Sequence, residues 1–235
     1  PEVRRDRDRI RGEVTRRLAE VGLDPDVAGR RTFELSGGMR QRVGIAAALA
    51  KDPALLIADE PTTALDVSTQ AEVLRLLGDL QRSRGMSLLL ITHDLGVAFG
   101  SCDRIMVMYA GSIMEVGRSD DLRDGALHPY TRALGRASLP LTHVLERFEP
   151  IPGSVPRAGT VESQCPFAAR CDFAVDGCRE SRPERIEVSP GHDVACIRIE
   201  AVRATGPRVD LPAGVLARPS DSSSAHPRSI ARVTD

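Results

Sequence analysis

Apolar side chains at Ile10, Val14, Leu18 and Val21 recur at helical spacing, which predicts one face of a helix over residues 6–22. Gly22 and Pro25 end it. Ser36 stands where an N-cap belongs, ahead of a helix running through Met39 to about Ala50. Ala54–Ala58 is a short, unbroken apolar run closed by Asp59-Glu60-Pro61, the pattern of a buried strand with acids at its carboxyl end. A helix follows from Val67 to about Leu80, with Val73, Leu76, Leu77 and Leu80 inward, and Met86–Ile91 reads as a second buried strand ending at Thr92-His93-Asp94. Strand, helix, strand in this order implies a parallel βαβ unit. Ligands of such sheets collect at the carboxyl ends of the strands, where Glu60 and His93 both fall.

Further along, Arg104–Tyr109 and Ser112–Val116 predict a β-hairpin around Gly111, and residues 118–136 read as helical with a new start at His128-Pro129. From Leu139 on, Pro, Gly and Cys dominate and periodicity fades. The last stretch, residues 201–235, has few large apolar groups and reads as a disordered tail.

Composition adds constraints. The 235 residues suffice for one large domain or two small ones. Charges nearly cancel, 32 basic against 33 acidic, so no nucleic-acid partner is expected. No run of eighteen apolar residues occurs, so no membrane span is expected, and the Arg-rich first twenty residues do not resemble a signal peptide. Arg4, Arg5, Arg7, Arg9 and Arg11 are interleaved with Asp6 and Asp8, as on a solvated helix face. The chain starts at Pro1 inside a polar helical pattern, which suits either a processed start or a segment of a longer protein.

Candidate chemistry centres on phosphate. Ser36-Gly37-Gly38 at a helix start offers unpaired N–H groups and the positive end of the helix dipole. Taken alone, it is equally an ordinary capped helix. Asp59 can hold Mg²⁺ directly or through water, and Glu60 can orient and deprotonate an attacking water. His93 can contact a terminal phosphate or serve as a structural hydrogen-bonder.

Together these stretches resemble a known family. Leu35-Ser36-Gly37-Gly38-Met39-Arg40-Gln41-Arg42 resembles the signature motif of ABC transporter ATPases, Leu55–Glu60 their Walker B strand, Ala64-Leu65-Asp66 their D-loop, and Thr92-His93-Asp94 their switch histidine. The resemblance covers about residues 1–125. It implies an α/β fold, a partial ABC-type nucleotide-binding domain with a parallel sheet and flanking helices over residues 1–126. It further implies that two such domains pair around ATP and Mg²⁺. Ser36, Gly37, Gly38 and Gln41 would then face the γ-phosphate held by the partner. Asp59 would organise Mg²⁺, Glu60 would be the general base, His93 the γ-phosphate sensor, and Asp66 the link across the dimer. One part is missing: no Gly-x-x-x-x-Gly-Lys-Ser/Thr occurs, and the single lysine, Lys51, lies in Ala-Lys-Asp-Pro. The chain resembles the carboxyl half of such a domain plus an extension, and is expected to bind ATP poorly and hydrolyse it negligibly by itself.

The extension narrows the resemblance. His128-Pro129-Tyr130-Thr131-Arg132-Ala133-Leu134, Ile151-Pro152-Gly153, Cys165-Pro166-Phe167 and Pro190-Gly191-His192 are similar to the carboxyl-terminal region of ATPases from oligopeptide, dipeptide and nickel importers. This implies peptide uptake, with nickel or another small solute as the alternative. The implied partners are a second ABC ATPase domain or subunit, two transmembrane permease subunits and, indirectly, an extracytoplasmic solute-binding protein. The implied location is the cytoplasmic face of the cell membrane. A non-catalytic module docking on a complete partner is the competing class. Soluble ABC proteins of translation or repair fit poorly, since their relatives lack this extension.

Residues 127–200 also read as a small, irregular, Cys-rich domain. Cys165, Cys171, Cys178 and Cys196 are spaced C-x5-C-x6-C-x17-C. Disulfides, unligated thiols, zinc and iron–sulfur are all open on spacing, although tight zinc pairs are missing. Related importer ATPases with this pattern imply a [4Fe–4S] cluster, with zinc as the alternative. Cys102 reads as a buried apolar thiol.

Overall fold

The computed structural model describes residues 2–137, 150–157, 160–206 and 229–233. The chain divides into two compact units, Pro1–Leu88 and Leu89–Asp235.

In the first unit, α1 (Glu2–Glu20) and α2 (Gly37–Ala48) precede β1 (Leu55–Asp59) and α3 (Val67–Arg84). Leu18 and Val21 of the predicted α1 face are buried, but Ile10 and Val14 are 59% and 40% exposed, so only the carboxyl half of that face packs. The amino half carries an exposed side-chain pair at helical spacing, Arg9 to Asp6, and the carboxyl half further ones, such as Arg16 to Glu13 and Glu20. The core gathers Leu18, Val21 and Leu35 with Ile45 and Leu49 of the α2 segment, Leu56 of β1, and Val73, Leu77 and Leu80 of α3. Leu76 packs at its edge, and Leu74, which the pattern placed outward, is buried.

Two features fix the ends of these elements. After the 3₁₀ turn Leu49–Lys51, Asp52 takes φ 49°, and its carboxylate accepts a bidentate pair from the buried Arg17 guanidinium, 2.9 and 3.0 Å, and a further bond from Arg84, 2.7 Å. The Arg17 and Arg84 bonds hold the Asp52 carboxyl down at about 2. At its far end α3 stops on Gly85 in the left-handed region, φ 63°.

β2 (Ser87–Thr92) carries the chain into the second unit. There α4 (Leu95–Ser101), β3 (Arg104–Tyr109), β4 (Ser112–Arg118), α5 (Ser119–Gly125) and α6 (Pro129–Ala137) follow, then α7 (Gly177–Glu180), β5 (Ile186–Ser189), β6 (His192–Val194), α8 (Ile199–Ala204) and β7 (Ser229–Val233). The predicted hairpin is β3–β4, turning through Ala110 and Gly111, both at positive φ. Cys102 closes α4 and is fully buried.

Two expectations are corrected here. A parallel sheet with flanking helices, followed by one hairpin, was expected. The strands of this unit run in the order β7-β3-β4-β6-β5, with β3–β7 parallel and β3–β4, β4–β6 and β6–β5 antiparallel, so the sheet is mixed. The strands β6 and β5 of the extension continue the sheet from β4. The disordered tail expected over 201–235 is also interrupted. Residues 201–204 complete α8, and 229–233 form β7, which pairs with β3 from Arg104↔Ile230 to Val107↔Val233. Ala231 and Val233 are buried, an alternation of two residues too short to stand out in sequence. The rest of that tail, 207–228, lies outside the described residues.

Candidate functional site

The phosphate-directed residues of the first unit lie on two helix starts and one loop. Ser36 N-caps α2, its Oγ accepting the Met39 N–H at 3.2 Å. Asp66 N-caps α3 more fully. One oxygen accepts the Thr69 N–H at 3.0 Å and the Ser68 hydroxyl at 2.5 Å, while the other accepts the Thr69 hydroxyl at 2.7 Å. Those donors hold the Asp66 carboxyl well below the usual carboxylate range, Ser68 first.

The two helix starts touch. A Cβ on Gly38 would stand 2.6 Å from the Thr69 methyl, and one on Gly37 would stand 3.3 Å from a Leu65 methyl. Glycine at 38 is therefore demanded by helix packing as well as by any ligand. Gln41, one turn further along α2, is half-buried. The neighbouring arginines act as struts: Arg40 donates to the Leu35 carbonyl at 2.7 Å, and Arg42 to the Val21 carbonyl and to Glu72, both at 2.9 Å.

Asp59 ends β1 with its side chain exposed, open to a hydrated cation. Glu60 follows with φ 46°, and Ala64 with φ 64°, both non-glycine residues in the left-handed region. Such conformations concentrate at functional loops, because surrounding structure must hold them. Thr63 holds this one: its hydroxyl donates to Glu60 Oε2 at 2.9 Å and its N–H to the Glu60 carbonyl at 3.2 Å. Sequence reasoning missed Thr63. The signal was its place three residues after Glu60 in Pro-Thr-Thr-Ala, a spacing at which a turn returns a hydroxyl to a carboxylate.

In the second unit, His93 is exposed between Thr92, whose hydroxyl accepts the Asp94 N–H, and Asp94, which N-caps α4 through the Val97 N–H. Each bond measures 3.0 Å.

The HPY-type segment proves to be structural. Glu115 of β4 is fully buried and accepts three donors: the Leu127 N–H at 2.7 Å, the His128 N–H at 3.1 Å and His192 Nε2 at 2.8 Å. His128 Nδ1 accepts the Tyr130 N–H at 3.0 Å, and burial pushes the ring down to about 4, so it is neutral. Arg132 is buried too, donating to the Ala126 and Val202 carbonyls and to the Thr205 hydroxyl. Both tyrosines of the chain meet Phe167 here, with Tyr109–Phe167 centroids 5.3 Å apart and Tyr130–Phe167 5.2 Å. Arg170 adds bonds to the Tyr109 hydroxyl and to the Ile151 and Pro152 carbonyls.

Cys178 lies in α7, and Cys165, Cys171 and Cys196 lie in the irregular stretches around it and after β6. Cys165 and Cys178 are buried and Cys171 and Cys196 half-buried, and the Cys165 N–H donates to the Cys178 carbonyl at 2.9 Å. Burial pushes Cys171 up to about 12 and Cys196 up to about 11, with smaller additions from Cys196, Cys165 and Cys178 at Cys171 and from Cys165 and Cys178 at Cys196. Backbone N–H groups oppose that shift: those of Phe167 and Ala168 at Cys165, Phe173 at Cys171, and Arg198 at Cys196. Among the described residues, however, no group of three or more His, Cys, Asp or Glu side chains is arranged to hold a metal ion. No described helix is long and apolar enough to cross a membrane.

Two family models match the chain: the ABC transporter family over residues 3–63, and the oligopeptide/dipeptide transporter C-terminal region over residues 114–178. The chain is 46% identical over 183 residues to a Brucella ovis protein named for peptide-import ATP binding, covering 77% of this chain and 57% of the relative. It is 45% identical over 188 residues to the oligopeptide transport ATP-binding protein AppF of Bacillus subtilis, covering 78% and 57%. It thus spans 57% of the length of these curated relatives. Among solved structures, it is similar to cbiO1 from Clostridium perfringens, part of the ABC transporter complex cbiONQ. That match has 32% identity over 49% of this chain and 46% of that one, at a TM-score of 0.44. Residues 3–63 thus match the ABC transporter family and residues 114–178 the oligopeptide/dipeptide transporter C-terminal region, as the relatives named for peptide-import ATP binding do along the matched length.

Proposed function

We propose that this chain supplies the signature, Walker B, D-loop and switch-histidine part of an ATPase subunit that drives peptide import. The observation that carries the reading is the loop from Asp59 to Asp66. An exposed carboxylate ends a strand, the next carboxylate is held by a hydroxyl in a conformation few non-glycine residues adopt, and the loop closes on a helix start packed against Ser36-Gly37-Gly38. ATP would be bound between this subunit and a second ABC ATPase domain or subunit. Asp59 would hold Mg²⁺, which neutralises developing phosphate charge when bound. Glu60 would accept the proton of the attacking water, and His93 would meet the γ-phosphate. Ser36, Gly37, Gly38 and Gln41 would face the nucleotide of the partner, and Asp66 would carry contact across the pair. Two permease subunits would hold the ATPase pair at the cytoplasmic face of the membrane, with a solute-binding protein delivering peptide from outside.

The test is ATP-dependent uptake of a labelled oligopeptide by the assembled importer in proteoliposomes. Glu60→Gln is expected to lower uptake and hydrolysis by about 10²- to 10⁴-fold, the usual worth of a general base. Hydrolysis at the wild-type rate would remove Glu60 from the mechanism. Nickel uptake with no peptide uptake would reassign the solute. The 235-residue chain by itself, which carries no P-loop sequence, is expected to show negligible ATPase activity.

For the cysteines, the family resemblance implies a [4Fe–4S] cluster with zinc as the alternative, although the described side chains form no group arranged to hold a metal ion. Backbone N–H groups aimed at the sulfurs of Cys165, Cys171 and Cys196 suit thiolates, as they do around iron–sulfur clusters. A single zinc with 2.3 Å bonds would need four sulfurs about 3.8 Å apart, a tighter cage than a cluster requires. Iron and sulfide analysis of anaerobically purified protein tests this. About four of each per chain supports the cluster, one zinc per chain supports the alternative, and neither leaves the thiols structural.

A further inference from the structure

Independently of the ATPase reading, we propose that the second unit binds a small phosphate monoester in the cleft between β4 and the segment that enters β5. The cleft has a volume of 320 Å³ and is lined by Ser112 and Met114 of β4, by Pro166, and by Arg182, Pro183 and Arg185. That volume falls at the lower end of the range for small-molecule sites, about 300–1,000 Å³. Among the described residues that line it, two carry guanidinium groups and none carries a carboxylate. Strand geometry keeps the acids away. Successive side chains of an extended segment point to opposite faces. Glu184, Ile186 and Val188 line a different cleft, while Arg185 lines this one.

The arginines are placed rather than loose. Arg182 donates to the Ser112 hydroxyl at 2.8 Å, and Ser112 is buried. The Ser112 oxygen accepts there, so its own proton can be given to a ligand. Pro183 fixes φ between the two arginines and holds Arg182 toward extended backbone. Neither arginine pairs with a carboxylate among the described residues, whereas Arg179 before them pairs with Asp176 and Arg203 after them with Glu200. Each guanidinium presents a fork of donors that fits phosphate or carboxylate oxygens. A phosphate monoester carries a charge of about −1.5 to −2 at neutral pH and answers both forks, whereas a carboxylate carries a single charge and answers one. The apolar walls, Met114, Pro166 and Pro183, suit an organic group on the ester oxygen.

The experiment is calorimetric titration of the full chain with phenyl phosphate at low salt. A Kd below about 1 mM is expected, weakened about tenfold or more by Arg182→Gln and by Arg185→Gln, the worth of a charge-assisted hydrogen bond. Both arginines are exposed, so the variants are expected to keep the wild-type urea midpoint. Glu184→Gln, on the other cleft, is expected to bind no more weakly than wild type. Two results would overturn the site: no saturable binding up to about 10 mM phenyl phosphate, or binding that survives Arg182→Gln and Arg185→Gln combined. Wild-type chain alone tests the ligand class. Benzoate is expected to bind about tenfold more weakly than phenyl phosphate, and equal binding would overturn the phosphate assignment. Phosphatidic acid presents the same head group in a membrane. Phosphatidylcholine vesicles containing it are expected to retain no more chain than vesicles without it. Retention that depends on Arg182 and Arg185 would overturn the soluble source.

Discussion

Glu60 and Glu115 are both carboxylates held by hydrogen bonds, and they are held in opposite ways. Glu60 is half-buried, and Thr63, three residues away, holds it. Glu115 is fully buried and is held by Leu127, His128 and His192, from 12 to 77 residues away. A carboxylate bonded locally at a surface can exchange partners at small cost, which a base must do in each cycle. A buried carboxylate with three distant donors cannot, because every lost bond leaves a polar group in a dry interior. The first arrangement suits chemistry and the second suits architecture. His128-Pro129-Tyr130 thus serves as the seam that ties α6 and β6 to β4.

The largest way to break this contrast is Glu115→Ala. Removing the carboxylate strands two backbone N–H groups and His192, and should cost about 3–5 kcal/mol of unfolding free energy in urea titration. A loss below about 1 kcal/mol would mean the seam is not structural.

The pH response sharpens the same point. His128 is pushed down to about 4 in the fold, against an unfolded value near 6.5, so between those values the unfolded chain binds more protons than the native one. Its contribution to stability is unchanged above pH 6.5, is lost progressively as pH falls to about 4, and levels off below, a total of about 3 kcal/mol. His128→Asn keeps an acceptor for the Tyr130 N–H and should flatten that window. Asp52 acts in a separate range: its native pairing with Arg17 and Arg84 stabilises above its unfolded value of about 4 and is lost as pH falls through about 2.

Smaller effects probe the surface site. Gly38→Ala drives a methyl into Thr69 and should cost about 1–3 kcal/mol. Adding Thr69→Ser removes the clashing methyl while keeping the hydroxyl bond to Asp66, and should recover most of that loss. If stability returns while ATPase activity of the assembled importer does not, Gly38 serves ligand as well as packing. Ser36→Ala should cost about 1 kcal/mol through loss of the α2 cap.

Legibility followed the same divide. Elements with strong local signals, such as the capped α2, α3 and the β3–β4 hairpin, lie where periodicity put them; β1 does too, but it is not the buried strand expected, since Leu56 is buried while Leu55 and Ile57 are exposed. So does the Ser36 cap, whereas the Asp66 cap was not foreseen. Contacts that depend on distant residues were not readable. Nothing beside Glu115 announces a buried acid, because its partners arrive from α6 and β6. Arg17 reads as one charge in a polar helix until Asp52 meets it. β7 was hidden because four of its five residues pair with β3 across more than a hundred positions. Positive φ at Glu60 and Ala64 was equally silent, since neither is glycine.

The most direct test measures two quantities on two variants, Glu60→Gln and Glu115→Gln, in the assembled importer: the rate of ATP hydrolysis and the urea midpoint of the ATPase subunit. The account predicts a crossing. Glu60→Gln abolishes hydrolysis and leaves the midpoint within error of wild type, whereas Glu115→Gln lowers the midpoint and leaves the hydrolysis of the folded fraction within a few-fold. Hydrolysis surviving in Glu60→Gln, or an unchanged midpoint in Glu115→Gln, would contradict it.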